Sequence, residues 1–154
     1  MQNRRPLSLT LDLPDRPHRS REIYAPGGFI EEHPRFSPVV EPLFSEADRG
    51  NRELVTSALT LLEVMVVPYR VGNLALAERY EQLLTRSRGI RLINISRDQL
   101  RAAAQLRATA GIKAPDALQL AAALTAGCTT FVTNDRRIPV IPGTRILQLA
   151  DYAN

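Results

Sequence analysis

Three carboxylates stand where their neighbours give them something to do. Glu63 interrupts Leu61-Leu62-Glu63-Val64-Met65-Val66-Val67, a run otherwise suited to a core. A carboxylate buried there without a partner is costly, or it takes up a proton. Asp116 follows Pro115 at the head of an apolar run. Asp135 follows the β-branched and aromatic stretch Thr129-Thr130-Phe131-Val132-Thr133 and Asn134. Each acid alone has an ordinary explanation. Glu63 fits a narrow exposed stripe or an ion pair with Arg70. Asp116 is favourable beside the positive end of a helix dipole. Asn-Asp after a strand is common turn chemistry. Together they suggest more, because clustered carboxylates repel and a divalent cation is the usual reason to gather them. Hard oxygen ligands suit magnesium or manganese.

The elements that must position these acids can be read from local signals. Glu53-Leu54-Val55-Thr56 reads as a strand, after which Ser57 is placed to cap a helix from Ala58 to Pro68 that carries Glu63. Leu74–Ser87 is the next helix, with Leu76, Tyr80, Leu83 and Leu84 on one face. Arg91–Ile95 is a strand. Ser96 or Asp98 caps a helix whose face is Leu100, Ala103, Ala104 and Arg107, and Gly111 ends it. Pro115 suits the first turn of the helix that carries Asp116, and Gly127 stops it. A last strand runs Arg145–Leu149. This alternation argues for a three-layer α/β domain with a mainly parallel sheet. In such a sheet ligands bind beyond the carboxyl ends of the strands, where Asp135 falls. Whether Asp116 reaches the same edge is left to tertiary packing.

The opening is different. Residues 1–28 hold five arginines and four prolines and show no helical period. Leu7–Leu13 has the alternation of a short strand, and Pro14, Pro17 and Pro26-Gly27-Gly28 interrupt any regular element after it. Val39, Val40, Leu43 and Phe44 then supply a helical apolar stripe, punctuated by Pro34 and Pro38.

At 154 residues the chain suffices for one domain with a real core. No apolar run approaches the roughly 20 residues of a membrane span. The alternating leucines after Arg4 and Arg5 do not resemble a signal peptide. A single cysteine, Cys128, excludes an internal disulfide and fits a reducing cytoplasm. Cys128, His18 and His33 form no metal-ligand spacing. The formal charge of +4 is almost entirely arginine, since Lys113 is the only lysine. Arginine suits phosphate contact, though an arginine-biased, solvated surface explains the same composition. Pro26-Gly27-Gly28 lacks the spacing and strand context of a phosphate-binding loop. A generic Rossmann-like domain with unrelated acids would hold the three carboxylates far apart.

Three blocks carry a family resemblance: Thr56-Ser57-Ala58-Leu59-Thr60-Leu61-Leu62-Glu63, Pro115-Asp116-Ala117-Leu118-Gln119-Leu120-Ala121-Ala122-Ala123, and Phe131-Val132-Thr133-Asn134-Asp135-Arg136-Arg137. In order and spacing they resemble a PIN domain of the kind found in VapC-type toxins of bacterial toxin–antitoxin pairs. Glu32-His33-Pro34-Arg35-Phe36 is similar to the family's first helices, so the resemblance covers most of the chain after residue 28. It implies a cytoplasmic, metal-dependent endoribonuclease. Four acids would hold Mg2+ or Mn2+, which activates a water against an RNA phosphodiester. By matching position, Glu63, Asp116 and Asp135 are three of those acids, with Thr133 and Asn134 shaping the strand end. The implied partners are an RNA substrate, a cognate antitoxin-like protein and a second copy in a homodimer. The implied domain is residues 29–154, preceded by an atypical segment 1–28.

The chain departs from the family at the fourth acid. An apolar strand ending in Asp-Thr-Asn or Asp-Thr-Ser is expected shortly before Phe29, and Arg21-Glu22-Ile23-Tyr24-Ala25-Pro26-Gly27-Gly28 stands there instead. Glu22 is about the right distance upstream, and Asp12 ends a strand-like run farther back. Three acids hold a cation more weakly than four. The sequence therefore predicts weak metal binding and slow or absent cleavage. It also predicts that the three carboxyls converge and raise at least one pKa among them.

Overall fold

A computed structural model of the chain describes residues 20–24, 37–133, 135–148 and 151. Ten elements follow in order: β1 (Ser20–Tyr24), α1 (Ser37–Asp48), β2 (Arg52–Ser57), α2 (Leu59–Arg70), α3 (Leu74–Arg86), β3 (Ile90–Ile93), α4 (Arg97–Ala110), α5 (Ala114–Thr125), β4 (Thr130–Thr133) and β5 (Arg145–Gln148). The strands form one sheet in the order β3-β2-β1-β4-β5, and every ladder is parallel. The chain winds outward from β1 to β3, then returns to β4 on the other side of β1. Right-handed crossovers therefore place helices on both faces, giving an α/β/α sandwich. The strand order reverses between β1 and β4, and that is where an open parallel sheet leaves a crevice.

The local signals explain most of the boundaries. Asn73 caps α3 by accepting a hydrogen bond from the Leu76 amide at 3.1 Å, and Ser96 caps α4 by accepting from Gln99 at 3.1 Å. Gly111 ends α4 at φ 65°, in the left-handed region that glycine enters at low cost. Gly89 precedes β3 where α1 comes closest: a Cβ there would lie 2.5 Å from Ala47.

The core gathers around α5. Val55 of β2, Phe131 of β4, Ala103 of α4 and the α5 residues Ala117 and Leu120–Ala123 form one buried cluster. Fully burying one leucine such as Leu120 is worth about 2 kcal/mol.

Three expectations are corrected. The inward face of α4 is Gln99, Ala102, Ala103 and Leu106, because α4 packs along α5. It is rotated by one residue, about 100°, from the Leu100–Arg107 face, and Leu100 is exposed. On α3 the buried residues are Ala77 and Leu84, while Leu83 is exposed. Most consequentially, the middle strand of the sheet is Ser20–Tyr24, ahead of the boundary drawn at residue 28. Its Arg-Glu-rich composition gives no strand signal, and only pairing on both sides makes it one. The strand expected at Leu7–Leu13 and the segment Phe29–Phe36 lie outside the described residues.

Candidate metal centre

Each acid is delivered to the carboxyl end of the sheet by a different element. β2 ends at Ser57 and α2 begins two residues later, so the chain turns without a loop. Ser57 remains in the strand, and its Oγ accepts from the Leu59 amide at 3.2 Å. The position before the helix is Ala58, which contributes no side-chain cap. Glu63 follows one turn into α2. Asp116 sits in the first turn of α5 behind Pro115, where Lys113 occupies the cap position without capping through its side chain. Asp135 follows β4, and its amide is held by the Thr133 hydroxyl at 3.0 Å.

Asp116 is the middle of the three. Glu63 carries a carboxyl pushed up to about 7, first by burial and then by the charge of Asp116. Its Oε2 is buried and receives no hydrogen bond among the described residues. That leaves the Arg70 pairing without support at this oxygen. The Asp116 carboxyl is also raised, by burial first and then by the charge of Asp135, against the lowering influence of Arg137 and Lys113. The closeness of the Asp135 carboxyl adds to the rise. Three unrelated acids spread over the fold would not act on one another in this way.

Asp135 behaves differently. Arg137 grips both of its oxygens, Nε donating at 2.9 and 3.1 Å and Nη2 at 2.6 Å. The Arg137 amide adds a further bond at 2.9 Å. Hydrogen bonding from Arg137 therefore lowers the Asp135 carboxyl to about 2. This arginine followed the acid in the sequence, and only the bidentate fit of a guanidinium to a carboxylate marked it. Lys113, Asp116 and Arg137 also line a cleft of 180 Å³ with Gly111, Ile112 and Ile138.

The fit to a cation can be tested on these observations. The donors are hard oxygens. Glu63 presents a buried oxygen with no donor, beside a second carboxyl, and a cation would satisfy it. Asp135 already holds a counter-charge in Arg137. Among the described residues no three His, Cys, Asp or Glu side chains lie close enough together to hold a metal ion. The donor chemistry of Glu63 and Asp116 fits a hard cation, whereas the Asp135 oxygens are engaged by Arg137.

The fourth acid can be placed by register. Glu22 pairs with Leu54 and Thr130, three residues before Ser57 and Thr133 end their strands. At about 3.3 Å per residue, its backbone stands roughly 10 Å short of the carboxyl edge. The Glu22 backbone is therefore not at the strand end, where the family's aspartate is expected. Asp12 lies outside the described residues.

Comparison with known proteins agrees with this architecture. A PIN domain family model matches residues 29–143. The fold is similar to that of VapBC2 from Rickettsia felis bound to a fragment of its promoter DNA, at 17% identity and a TM-score of 0.60, covering 83% of this chain and 97% of that one. It is similar to DNA-bound VapBC from Salmonella typhimurium, at 20% identity and 0.58, covering 86% and 99%. A toxin–antitoxin complex from Klebsiella pneumoniae matches at 21% and 0.53, covering 84% and 98%. No curated protein matches the chain.

Proposed function

The chain belongs to the PIN domain family, and on that premise we propose that it is a metal-dependent endoribonuclease of the VapC toxin type, acting in the cytoplasm. The observation that carries the reading is the Glu63–Asp116 pair. Two carboxyls from separate helices lie near enough at the carboxyl end of a parallel sheet for the charge of Asp116 to raise Glu63, and one has a buried oxygen that no donor serves among the described residues. A divalent cation bound there, Mg2+ or Mn2+, would lower the pKa of a water and offset charge on phosphoryl oxygens. Glu63, Asp116 and Asp135 would hold it. Lys113 and Arg137, on the rim of the adjoining cleft, would meet an RNA phosphate.

The partner reading rests on α2. Leu62, Val66 and Tyr69 share one face at helical spacing and are all exposed, Leu62 at 64%. The neighbouring Val71 and Leu74 are exposed as well. An apolar face of this kind marks an interaction surface. The solved relatives are complexes with antitoxins, and an antitoxin-like protein is the partner we assign to this face. Leu62→Glu with Val66→Glu should weaken capture of the protein encoded by the neighbouring small reading frame by about thirtyfold while leaving the fold intact. Loss of self-association instead would assign the face to a homodimer.

A second reading has its own support. Arg137 occupies Asp135, and β1 carries no acid in register with the carboxyl edge. Both favour a weak or inactive module that binds an antitoxin or RNA. Cleavage of single-stranded RNA with added Mn2+ separates the two. We expect slow cleavage by this chain and a rise of orders of magnitude when Asp-Thr-Asn is restored ahead of Phe29. Silence from the restored chain would remove the nuclease reading. Equal cleavage by the restored chain carrying Asp116→Asn would expose a contaminant.

A further inference from the structure

Gln119 is out of place in α5. Its neighbours Ala117, Leu118 and Leu120–Ala123 are apolar, and it is only 3% exposed among them. A buried amide is costly unless it is hydrogen-bonded. Its Nε2 donates to Thr60 Oγ1 of α2 at 3.3 Å. The Thr60 hydroxyl in turn shares a 2.7 Å hydrogen bond with that of Thr56 on β2. Both threonines are fully buried. The chain of bonds therefore joins β2, α2 and α5.

Its position relative to the acids is what matters. Thr60 lies one turn before Glu63 on α2, and Gln119 lies one turn after Asp116 on α5. The Thr60–Gln119 hydrogen bond thus joins the same two helices one turn away from the acid that each of them carries. A turn of three residues rises about 4.5 Å along a stiff helix, so a shift at the bond reaches the acids. Two carboxyls carried to this end of the helices repel when both are ionised. Little apolar packing resists that repulsion, because α2 fully buries only Thr60, Val64 and Pro68 and meets α5 over a small area.

We infer that Gln119, acting through Thr60 and Thr56, is a positioning residue that fixes the separation of Glu63 and Asp116 and so keeps them in reach of one cation. The metal readout of this inference rests on the proposed function; the strut itself does not. Gln119 Oε1 is buried and accepts no hydrogen bond among the described residues. An unserved buried acceptor is a cost. The residue therefore contributes less to stability than an apolar side chain of the same size would, and that makes its two roles separable.

The test uses the full chain, with urea unfolding and calorimetric Mn2+ titration at pH 7. Gln119→Met should unfold at the same urea concentration as the unmodified chain or higher. It should nevertheless bind Mn2+ about tenfold more weakly, the usual cost of losing support behind a metal ligand. Thr60→Val should also weaken binding, and Thr60→Ser, which keeps the hydroxyl, should restore it. Leu84→Ala, a core change on α3, should lower stability without this loss of affinity. Unchanged Mn2+ affinity in Gln119→Met overturns the inference, as does a loss no greater than that of Leu84→Ala at matched stability. Should Gln119→Met not fold, Thr60→Val against Thr60→Ser carries the same comparison. If the unmodified chain binds no Mn2+, the metal reading fails on its own. Crystal structures of the unmodified and Gln119→Met chains then decide: a wider Glu63–Asp116 separation supports the strut, and an equal one refutes it.

Discussion

Helices α2 and α5 are each 12 residues long, and each carries one acid of the candidate site among aliphatic residues. Their fates in the fold are opposite. α5 buries Ala117, Gln119 and Leu120–Ala123, so it is covered on nearly every side. α2 fully buries only the stripe Thr60, Val64 and Pro68, half-buries Leu59, Leu61 and Met65, and turns Leu62, Val66, Val67 and Tyr69 outward. Asp116 is therefore held by the core, whereas Glu63 is held by a narrow stripe and a polar strut. The proposed site then has one half fixed by the core and one adjustable half. The adjustable half is also the one that offers an apolar face to a partner.

The largest effect that could break this comparison is on packing. Leu120→Ala should lower the unfolding free energy by about 3 kcal/mol, because the cavity it opens is walled on all sides. Leu62→Ala on α2 should change it by no more than about 0.5 kcal/mol. Urea unfolding of the two variants measures both, and similar losses would mean that α2 is as much a part of the core as α5.

Protonation gives the next largest effect. Glu63 is pushed up to about 7 by burial and by Asp116, so the folded chain holds that proton more tightly than the unfolded one. Stability then falls as pH climbs from about 4.5 to about 7. Partial exposure screens the full shift, leaving about 1 kcal/mol. Glu63→Gln should flatten that slope and stabilise the chain at pH 7 by about the same amount. Denaturant melts across this pH range read it directly, and an unchanged slope would place the strain elsewhere. Asp135 has the opposite sign: its carboxyl, lowered to about 2, contributes stability above the ordinary carboxylate range that is lost as pH falls towards 2.

The smallest effect sharpens the fixed half. Arg137→Ala removes the guanidinium from Asp135 and its charge from beside Asp116, leaving the α5 core contacts in place. Stability should change by no more than about 1 kcal/mol, since Arg137 is exposed and Asp135 only half-buried, while Mn2+ affinity should rise about threefold as the oxygens are released. A fall in affinity would show that Arg137 orients Asp135 for the cation instead of competing with it.

Much of this was legible without a fold. Gly111, Pro115, Gly127 and Ser96 punctuate the chain at the positions where α4 and α5 begin and end, because capping and left-handed turns depend on a few adjacent residues. The three acids stood out for the same local reason, each beside an element boundary or inside an apolar run. The grip of Arg137 on Asp135 and the bond from Gln119 to Thr60 were not legible, since each is a contact between groups whose meeting depends on where elements pack.

What the sequence determined by itself was the order and type of the elements from residue 52 onward, and the residues that could do chemistry. Period, caps and breakers are properties of the chain over a few turns, and they survive in any tertiary context that does not override them. The tertiary structure decided which of two similar apolar helices became the core. It also made a strand of Ser20–Tyr24 by pairing it with β2 and β4, although its composition is polar. Burial and strand pairing are set by how many neighbours cover an element. Those neighbours come from distant parts of the chain, so no local pattern in α2, α5 or β1 records them.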